Sequence, residues 1–504
     1  MKNNAYDLCV IGCGPSGFAG AMRAFDLGKR VCIVERAQVG GAGVMWGALA
    51  SKTMWELSKD YYVASRTERG YRAADLHVDY TAVRNTILQA IKEKQGQMRA
   101  QMSALAGEGR RAGGGSVTLK RGRAQFIAPD RITVTRRGGP TETIQANFFL
   151  ICTGSKPRTL PGITIDQGKV IDSDGILRVK AFPRRLMIVG AGIVGCEYAT
   201  LFSNYGQTRV VLIDHQDRIL PFEDADVSDF VSRHLTQNSV DIVHSARLKT
   251  VSQRGHQLDI CLERDDGNQQ LFRMDALLLS VGRVPVTAGL GLRRIGITPD
   301  QRGYLNTDAK CCVKDHIYAA GDVSNHPALV NLAEAEARLA VEAMFGLPVA
   351  PLRYDNMSTV MFFYPPVAAV GLNEKQCREK GIAYRVGYYA NCLVSRAIAM
   401  RSLDGFVKII VSDDARAKIL GMRSAGPHAS STIVAVATLM DHNTGIKEAL
   451  KSMHPHPAIS EGIQECLRLL MDNSIYKPEV FPDLIKIRSW RSDQGRHEGQ
   501  RHHP

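Results

Sequence analysis

No stretch of the 504-residue chain approaches the roughly 18 consecutive apolar residues that a membrane-spanning helix needs, so no membrane span is expected. The opening MKNNAYDLCVIGCG has neither an apolar signal core nor a small-residue cleavage site, and it runs at once into a strand pattern, which points to the cytoplasm. No Cys-x-x-Cys pair occurs. The 11 cysteines are odd in number and irregular in spacing, which excludes a secreted disulfide framework. Cys9 in DLCVIG and Cys32 in RVCIVE lie inside apolar strand runs and read as small core hydrophobes. The net charge of +14 comes with scattered arginines and no RNA-binding or zinc-finger signature, so a nucleic-acid partner is not expected. The terminal RSDQGRHEGQRHHP is a polar tail rather than a metal site, and no metal is expected elsewhere.

Two strand–turn–helix–strand units are present. YDLCVI leads into Gly12-Cys13-Gly14-Pro15-Ser16-Gly17, a helix and then KRVCIVE. RRLMIV leads into Gly190-Ala191-Gly192-Ile193-Val194-Gly195, a helix and then TRVVLID. In such a fingerprint the first glycine permits the tight turn, the second lets backbone approach a pyrophosphate, and the third lets the helix pack on the strand. The free N–H groups of the helix start then face the phosphates. One GxGxxG is a weak signal. Two are stronger, because Glu35 and Asp214 end the following strands 23 and 24 residues beyond Gly12 and Gly190, where a carboxylate accepts ribose hydroxyls. Asp214 would repel a 2′-phosphate, so the second site favours NAD(H), with His215 and Arg218 close by in sequence. Farther on, IYAAGDV sets Gly321-Asp322 between a short strand and a helix, a place for an acid to grip a ribityl chain. A long polar helix is expected over 80–106, and strands, helices and a Gly-Pro-His turn fill the chain from about 351.

These motifs, with GG…GxxxSK at 40–52, TGSKP at 153–157, GAGIVGCE at 190–197, GRVP at 282–285, GPHAS at 426–430 and HPHPAISE at 454–461, resemble the flavoprotein disulfide reductases. Within that family the chain is most similar to dihydrolipoamide dehydrogenases and soluble pyridine nucleotide transhydrogenases. The resemblance implies an α/β fold of two Rossmann-like domains, binding FAD and NAD(P), plus an α+β dimerisation domain. It implies FAD-binding residues 1–158 and 281–350, an NAD(P)-binding domain at 159–280, a dimerisation domain at 351–471, and a partly disordered extension at 472–504. FAD would be held by the first fingerprint, Glu35, Arg36, Gly41, Ser51, Lys52, Thr153, Gly154, Gly282, Arg283, Gly321 and Asp322. The nicotinamide nucleotide would be held by Gly190, Gly192, Ile193, Val194, Gly195, Glu197 and Asp214. Lys52 and Glu197 match the family's ion pair beside the flavin, and a cation there would favour the reduced, anionic ring. In a homodimer, His456 oriented by Glu461 would reach the partner's flavin.

One departure changes the chemistry. The family reads Gly-Gly-x-Cys-x-x-x-x-Cys-x-Pro-Ser-Lys; here Gly43, Ala48 and Ala50 replace both cysteines and the proline while the spacing is kept. Trp46-Gly47 is similar to the transhydrogenase variant. Thiol–disulfide exchange is therefore not available at this place. The expected function is an FAD-dependent NAD(P)H oxidoreductase that passes hydride from NADH through FAD to a second acceptor, either a pyridine nucleotide or a quinone. Two alternatives stand beside it: a dihydrolipoamide dehydrogenase using another cysteine (Cys13, Cys311 or Cys312), and a retired flavin-binding subunit. Gly43 and Ala48 are expected to leave space over the flavin unless Met45 or Trp46 fills it, with His456 on the far wall. Anaerobic titration with NADH should show plain two-electron bleaching of the flavin with no long-wavelength thiolate-to-flavin band; the appearance of that band would contradict this reading.

Overall fold

The apolar run YDLCVI forms β1 (Tyr6–Ile11) in the computed structural model, which describes residues 6–70, 72, 74–107, 114–136 and 138–491. After β1 come α1 (Pro15–Asp26), β2 (Arg30–Glu35), α2 (Gly41–Met45), α3 (Leu49–Ala64) and α4 (Tyr80–Ala104). Then follow β3 (Ser116–Arg121), β4 (Arg123–Ala128), β5 (Arg131–Thr135) and β6 (Thr141–Ile151). The chain packs as two units. The first holds Met1–Val189, Thr250–Ile260 and Phe272–Leu352; the second holds Gly190–Lys249, Cys261–Leu271 and the chain from Arg353 onward.

In the first unit, β1 lies parallel between β2 and β6, with Cys9 beside Cys32 on one side and Phe149 on the other. The sheet runs Cys312–Lys314, Ile317–Ala319, β6, β1, β2, β3, and β5 and β4 add to it in antiparallel fashion. Strand β6 shows why its sequence changes style along its length. Its first half pairs with β5 and is exposed except for Ile144, while its end is central, parallel and buried on both faces. Helix α1 opens with Pro15 at its first position, where a missing N–H costs nothing. The polar helix expected over 80–106 is α4. Ile87, Ile91, Gln95, Met98 and Met102, three or four residues apart, form its buried stripe, and Gln95 Nε2 donates to Val39 O at 2.8 Å. Two short strands, β7 (Ser155–Pro157) and Arg283–Pro285, pair in antiparallel fashion. Two more, β8 (Val170–Asp172) and β9 (Arg185–Val189), flank Ala276–Leu279 in parallel.

The second unit begins with α5 (Ile193–Asn204), β10 (Arg209–Ile213), α6 (Ala225–Gln237) and β11 (Val240–Val243), with β10 parallel to β11. From Gly195 to Asn204, α5 is buried on every side, so its sequence is apolar or small with little periodicity. Residues beyond 353 build a six-stranded sheet in the order Thr359–Met361, Val367–Gly371, Ile419–Ala425, Phe406–Ser412, Tyr384–Ala390, Ile485–Trp490. Every pairing in it is antiparallel. The last strand lies inside the segment expected as an extension: Ile485 pairs with Tyr389, and Trp490 stacks on Tyr384 with centroids 6.0 Å apart. Residues 492–504 of that segment lie outside the described residues. No described helix is long and apolar enough to cross a membrane.

The two faces of this sheet differ in chemistry. Val407, Ile409 and Val411 join Ile433, Val436, Ile463 and Leu467 of two covering helices in one apolar core. On the opposite face, alternation places Lys408 directly beside Arg423, both buried. Two adjacent cations out of water require partners. Lys408 Nζ lies 2.8 Å from Asp224, 2.6 Å from Asp226 and 2.5 Å from Glu374; Arg423 lies 2.8 Å from Glu223. Arg488 from the last strand completes the cluster at 2.6 Å from Asp226 and 2.8 Å from Glu374. Burial would raise the carboxyls of Asp224 and Asp226, yet Lys408 and the neighbouring hydrogen bonds hold both below the usual carboxylate range. Burial would lower Lys408, but the surrounding acids raise it.

Lys408→Ala should destabilise the protein by about 3–5 kcal/mol in urea unfolding, because it strands buried carboxylates. Since Asp224 and Asp226 are depressed, their contribution is present above roughly pH 4 and lost as pH falls through their folded values. The contribution of the raised Lys408 is full below roughly pH 10 and fades only above its folded value. Stability should therefore fall steeply in acid for the parent chain and less steeply for Lys408→Ala.

Candidate functional site

The turn after β1 carries the first fingerprint. Gly12 has φ +108°, and a Cβ there would lie 2.3 Å from Cys152 O. A Cβ on Gly17 would fall 2.0 Å from Gly12 O, so only glycine lets α1 start this close to the strand. Gly14, by contrast, meets nothing nearer than 4.0 Å, leaving its approach open. Glu35 at the end of β2 is buried; its two oxygens accept from Cys13 N at 2.8 Å and Ala37 N at 2.7 Å. Arg36 follows it as an exposed residue. Gly41, at φ +50°, brings α2 against the same turn: a Cβ on it would sit 3.0 Å from Gly14 Cα.

Between the first fingerprint and Asp322 runs a polar chain. Gly154 has φ +65°, and the buried Thr153 hydroxyl has no hydrogen-bond partner among the described residues. Ser155 Oγ donates to Asp322 Oδ2 at 2.6 Å and accepts from Arg283 Nε at 2.8 Å. Arg283 also reaches Asp174 at 2.9 Å. Arg283, expected to touch cofactor, thus braces the turn that carries Ser155, and Gly282 accepts the Arg158 N–H at 2.9 Å. Gly321 packs against Ser16, 3.1 Å from its ideal Cβ to Ser16 Oγ, which draws the first and last motifs of this site together. Sequence reasoning missed Glu336. It is almost wholly buried, accepts the Gly321 N–H at 2.7 Å and is paired with His326 at 2.7 Å. Its only signal was an acid on the apolar face of AEAEARLAVEAM.

The second fingerprint repeats the first. Gly190 has φ +99° and Gly192 an open approach; Ile193 and Val194 start α5, with Gly195 buried behind them. Asp214 is buried and accepts from Ala191 N at 2.5 Å and Gln216 N at 2.9 Å, as Glu35 does from Cys13 and Ala37. His215 Nδ1 lies 3.0 Å from Asp214, while Arg218 donates to the Glu223 carbonyl oxygen. Glu197, one turn into α5, accepts the Phe362 N–H at 2.9 Å. Lys52 belongs to the first unit, in α3, and Glu197 to the second.

At the family's two sulfur positions the expected space is half closed. A Cβ on Gly43 would fall 2.4 Å from Pro15 Cγ and 3.4 Å from Val330 Cγ2, so the ring of Pro15 already fills that place. Ala48 precedes α3, and the helix is broken between the two positions: Gly47 N donates to Ala42 O at 2.7 Å. Ser51 Oγ returns to Gly47 O at 2.7 Å and ties the break to α3. The Trp46 ring lies here with its Nε1 shielded from solvent and without an acceptor among the described residues.

In the second unit, His456 Nδ1 lies 2.8 Å from Glu461 Oε1, and Glu461 Oε2 accepts the Ala458 N–H at 2.9 Å. Burial would raise Glu461; the hydrogen bonds from His456 and Ala458 outweigh it and hold the carboxyl below its usual range. His456 itself is 68% exposed in the single chain. All 11 cysteines are free thiols. Burial, and for Cys13 also the Glu35 charge, pushes the thiols of Cys13 and Cys152 up to about 12. Cys312 is raised by burial and by Asp308, and Cys311 is buried. A raised thiol is a poor nucleophile at neutral pH.

Comparison with known proteins shows the family and the fold. The family model described as pyridine nucleotide-disulphide oxidoreductase matches residues 6–337, and its dimerisation domain matches 357–467. A mitochondrial dihydrolipoyl dehydrogenase of Schizosaccharomyces pombe is 30% identical over 471 residues, covering 92% of this chain and 90% of that protein. A leghemoglobin reductase of Glycine max is 29% identical over 469 residues, covering 92% and 88%. The crystal structure of LpdA from Mycobacterium tuberculosis aligns with a TM-score of 0.83 at 26% identity, over 92% of this chain and 99% of that one.

Gly17→Ala forces a methyl group into the Gly12 carbonyl. The variant should purify without flavin absorbance while the second unit still folds, as judged by circular dichroism and nucleotide protection of that unit from protease.

Proposed function

The chain belongs to the pyridine nucleotide-disulphide oxidoreductase family and is an FAD-dependent pyridine nucleotide oxidoreductase; we propose that it sends the electrons of NADH to a second acceptor without any thiol relay. The observation that carries this is that Gly43 and Ala48 hold no sulfur at the family's two cysteine positions, with the Pro15 ring packed where a Gly43 side chain would begin. When bound, the flavin accepts hydride from NADH and releases two electrons to an acceptor. Residues 1–158 with 281–350 would hold FAD. Gly12, Gly14 and Gly17 give the pyrophosphate its approach, Glu35 takes the ribose, the unpartnered Thr153 hydroxyl finds an acceptor on the ligand, and Asp322, braced by Ser155, grips the ribityl chain. Residues 159–280 would hold NAD(H), with Asp214 selecting against a 2′-phosphate and Arg218 turned to a backbone carbonyl instead of toward one.

Lys52 and Glu197 would flank the nicotinamide side of the flavin. In the homodimer formed through 351–471, Glu461 would orient His456, whose imidazole supplies a proton to the reduced acceptor. The acceptor would be a second pyridine nucleotide or a quinone. The raised thiols of Cys13 and Cys312 speak against a substitute cysteine, and the well-formed second fingerprint speaks against a retired subunit. The purified protein should oxidise NADH with a quinone or a thionicotinamide nucleotide and should not reduce NAD with dihydrolipoamide. Gly43→Cys/Ala48→Cys should fail to install the latter activity. Dihydrolipoamide oxidation by the parent chain that disappears in Cys13→Ser, Cys311→Ser or Cys312→Ser would overturn the reading.

A further inference from the structure

A cavity of about 570 Å³ opens in the first unit beside the altered loop, within the range of small-molecule sites. Trp46 forms one wall, and Pro157, Val284 and Ile165 add apolar surface. Lys156, Arg158 and Arg178 line it as well. None of these three cations has an ion-pair or side-chain hydrogen-bond partner among the described residues. The two acids of the cavity are already engaged: Asp174 with Arg283 at 2.9 Å, and Asp172 with the N–H groups of Asp174 and Gly175 at 3.0 and 2.9 Å. The cavity therefore presents an aromatic wall and an uncompensated positive charge. Its residues Lys156 and Val284 neighbour Ser155 and Arg283, which brace Asp322.

Resting on the direct-transfer reading above, we infer that this cavity binds the second acceptor and that the acceptor is a planar, anionic quinone. The Trp46 ring, which meets no other aromatic ring among the described residues, stacks on the quinone, and Lys156, Arg158 and Arg178 neutralise its charge. In the reaction NADH gives up a hydride and becomes NAD. The quinone gains two electrons and two protons, the second proton coming from the His456 imidazole, which solvent reprotonates, and leaves as the hydroquinone.

The test compares holoenzyme with its Lys156→Gln/Arg158→Gln/Arg178→Gln variant, all three positions being exposed and outside the cofactor contacts. Anthraquinone disulfonate is titrated against tryptophan fluorescence to give Kd, and turnover of the disulfonate and of uncharged menadione is measured with NADH. The disulfonate Kd should rise about tenfold or more in the variant, and rise likewise with salt in the parent. Menadione turnover and flavin bleaching by NADH should stay unchanged. An unaltered disulfonate Kd overturns the cavity assignment, with menadione turnover leaving direct transfer intact. Failure to turn over either quinone, in protein whose flavin NADH bleaches, overturns this assignment; failure with a thionicotinamide nucleotide as well overturns the direct-transfer reading.

Discussion

The close approach of α1 to the end of β1 governs the site. Because Gly17 has no Cβ, the helix starts against the Gly12 carbonyl, and its first residue, Pro15, is pressed toward the loop that follows β2. That contact aims the helix N–H groups at the place for a pyrophosphate. It also puts the proline ring at 2.4 Å from the ideal Cβ of Gly43. One packing constraint thus builds the glycine-rich turn and sets the proline ring against Gly43. The neighbouring break at Gly47 and the turned-back Ser51 hydroxyl follow the same logic, since the loop folds around what α1 already occupies.

The remaining polar residues divide by what they must do. Asp322, Ser155, Arg283 and Asp174 form a chain that holds the Asp322 carboxylate in one orientation, and Glu336 fixes the backbone at Gly321. The ion cluster around Lys408 serves packing. It lets one face of a sheet be buried against acids from 223–226 and 374 while the other face packs under apolar helices. Such a cluster costs solvation and repays it only with its geometry complete. Glu35 and Asp214 lie between these cases: each spends only part of its hydrogen-bonding capacity on backbone N–H groups.

Much of the fold could be read directly. YDLCVI and KRVCIVE are strands, the polar helix expected over 80–106 ends at Ala104, and both acids sit where the fingerprint spacing put them. These features are local: a turn, a period, or a fixed offset along the chain. The strand Ile485–Trp490 falls inside the segment expected as an extension, a stretch that is polar and poor in apolar residues. Arg488 belongs in a strand here because Asp226 and Glu374 meet it from distant parts of the chain.

By itself the sequence determined the family, both nucleotide fingerprints, their acids and the loss of two cysteines, because each is a matter of residue identity at a set spacing. Whether the lost sulfurs leave a space or a filled position was decided only in three dimensions, by a proline 28 residues upstream of Gly43. The pairing of Glu336 with Gly321, the partners of Lys408 and the unpaired cations around Trp46 were decided there too. The physical reason is common to all: a charge or a gap acquires meaning from what lies within a few ångströms of it, and folding, not chain order, chooses those neighbours.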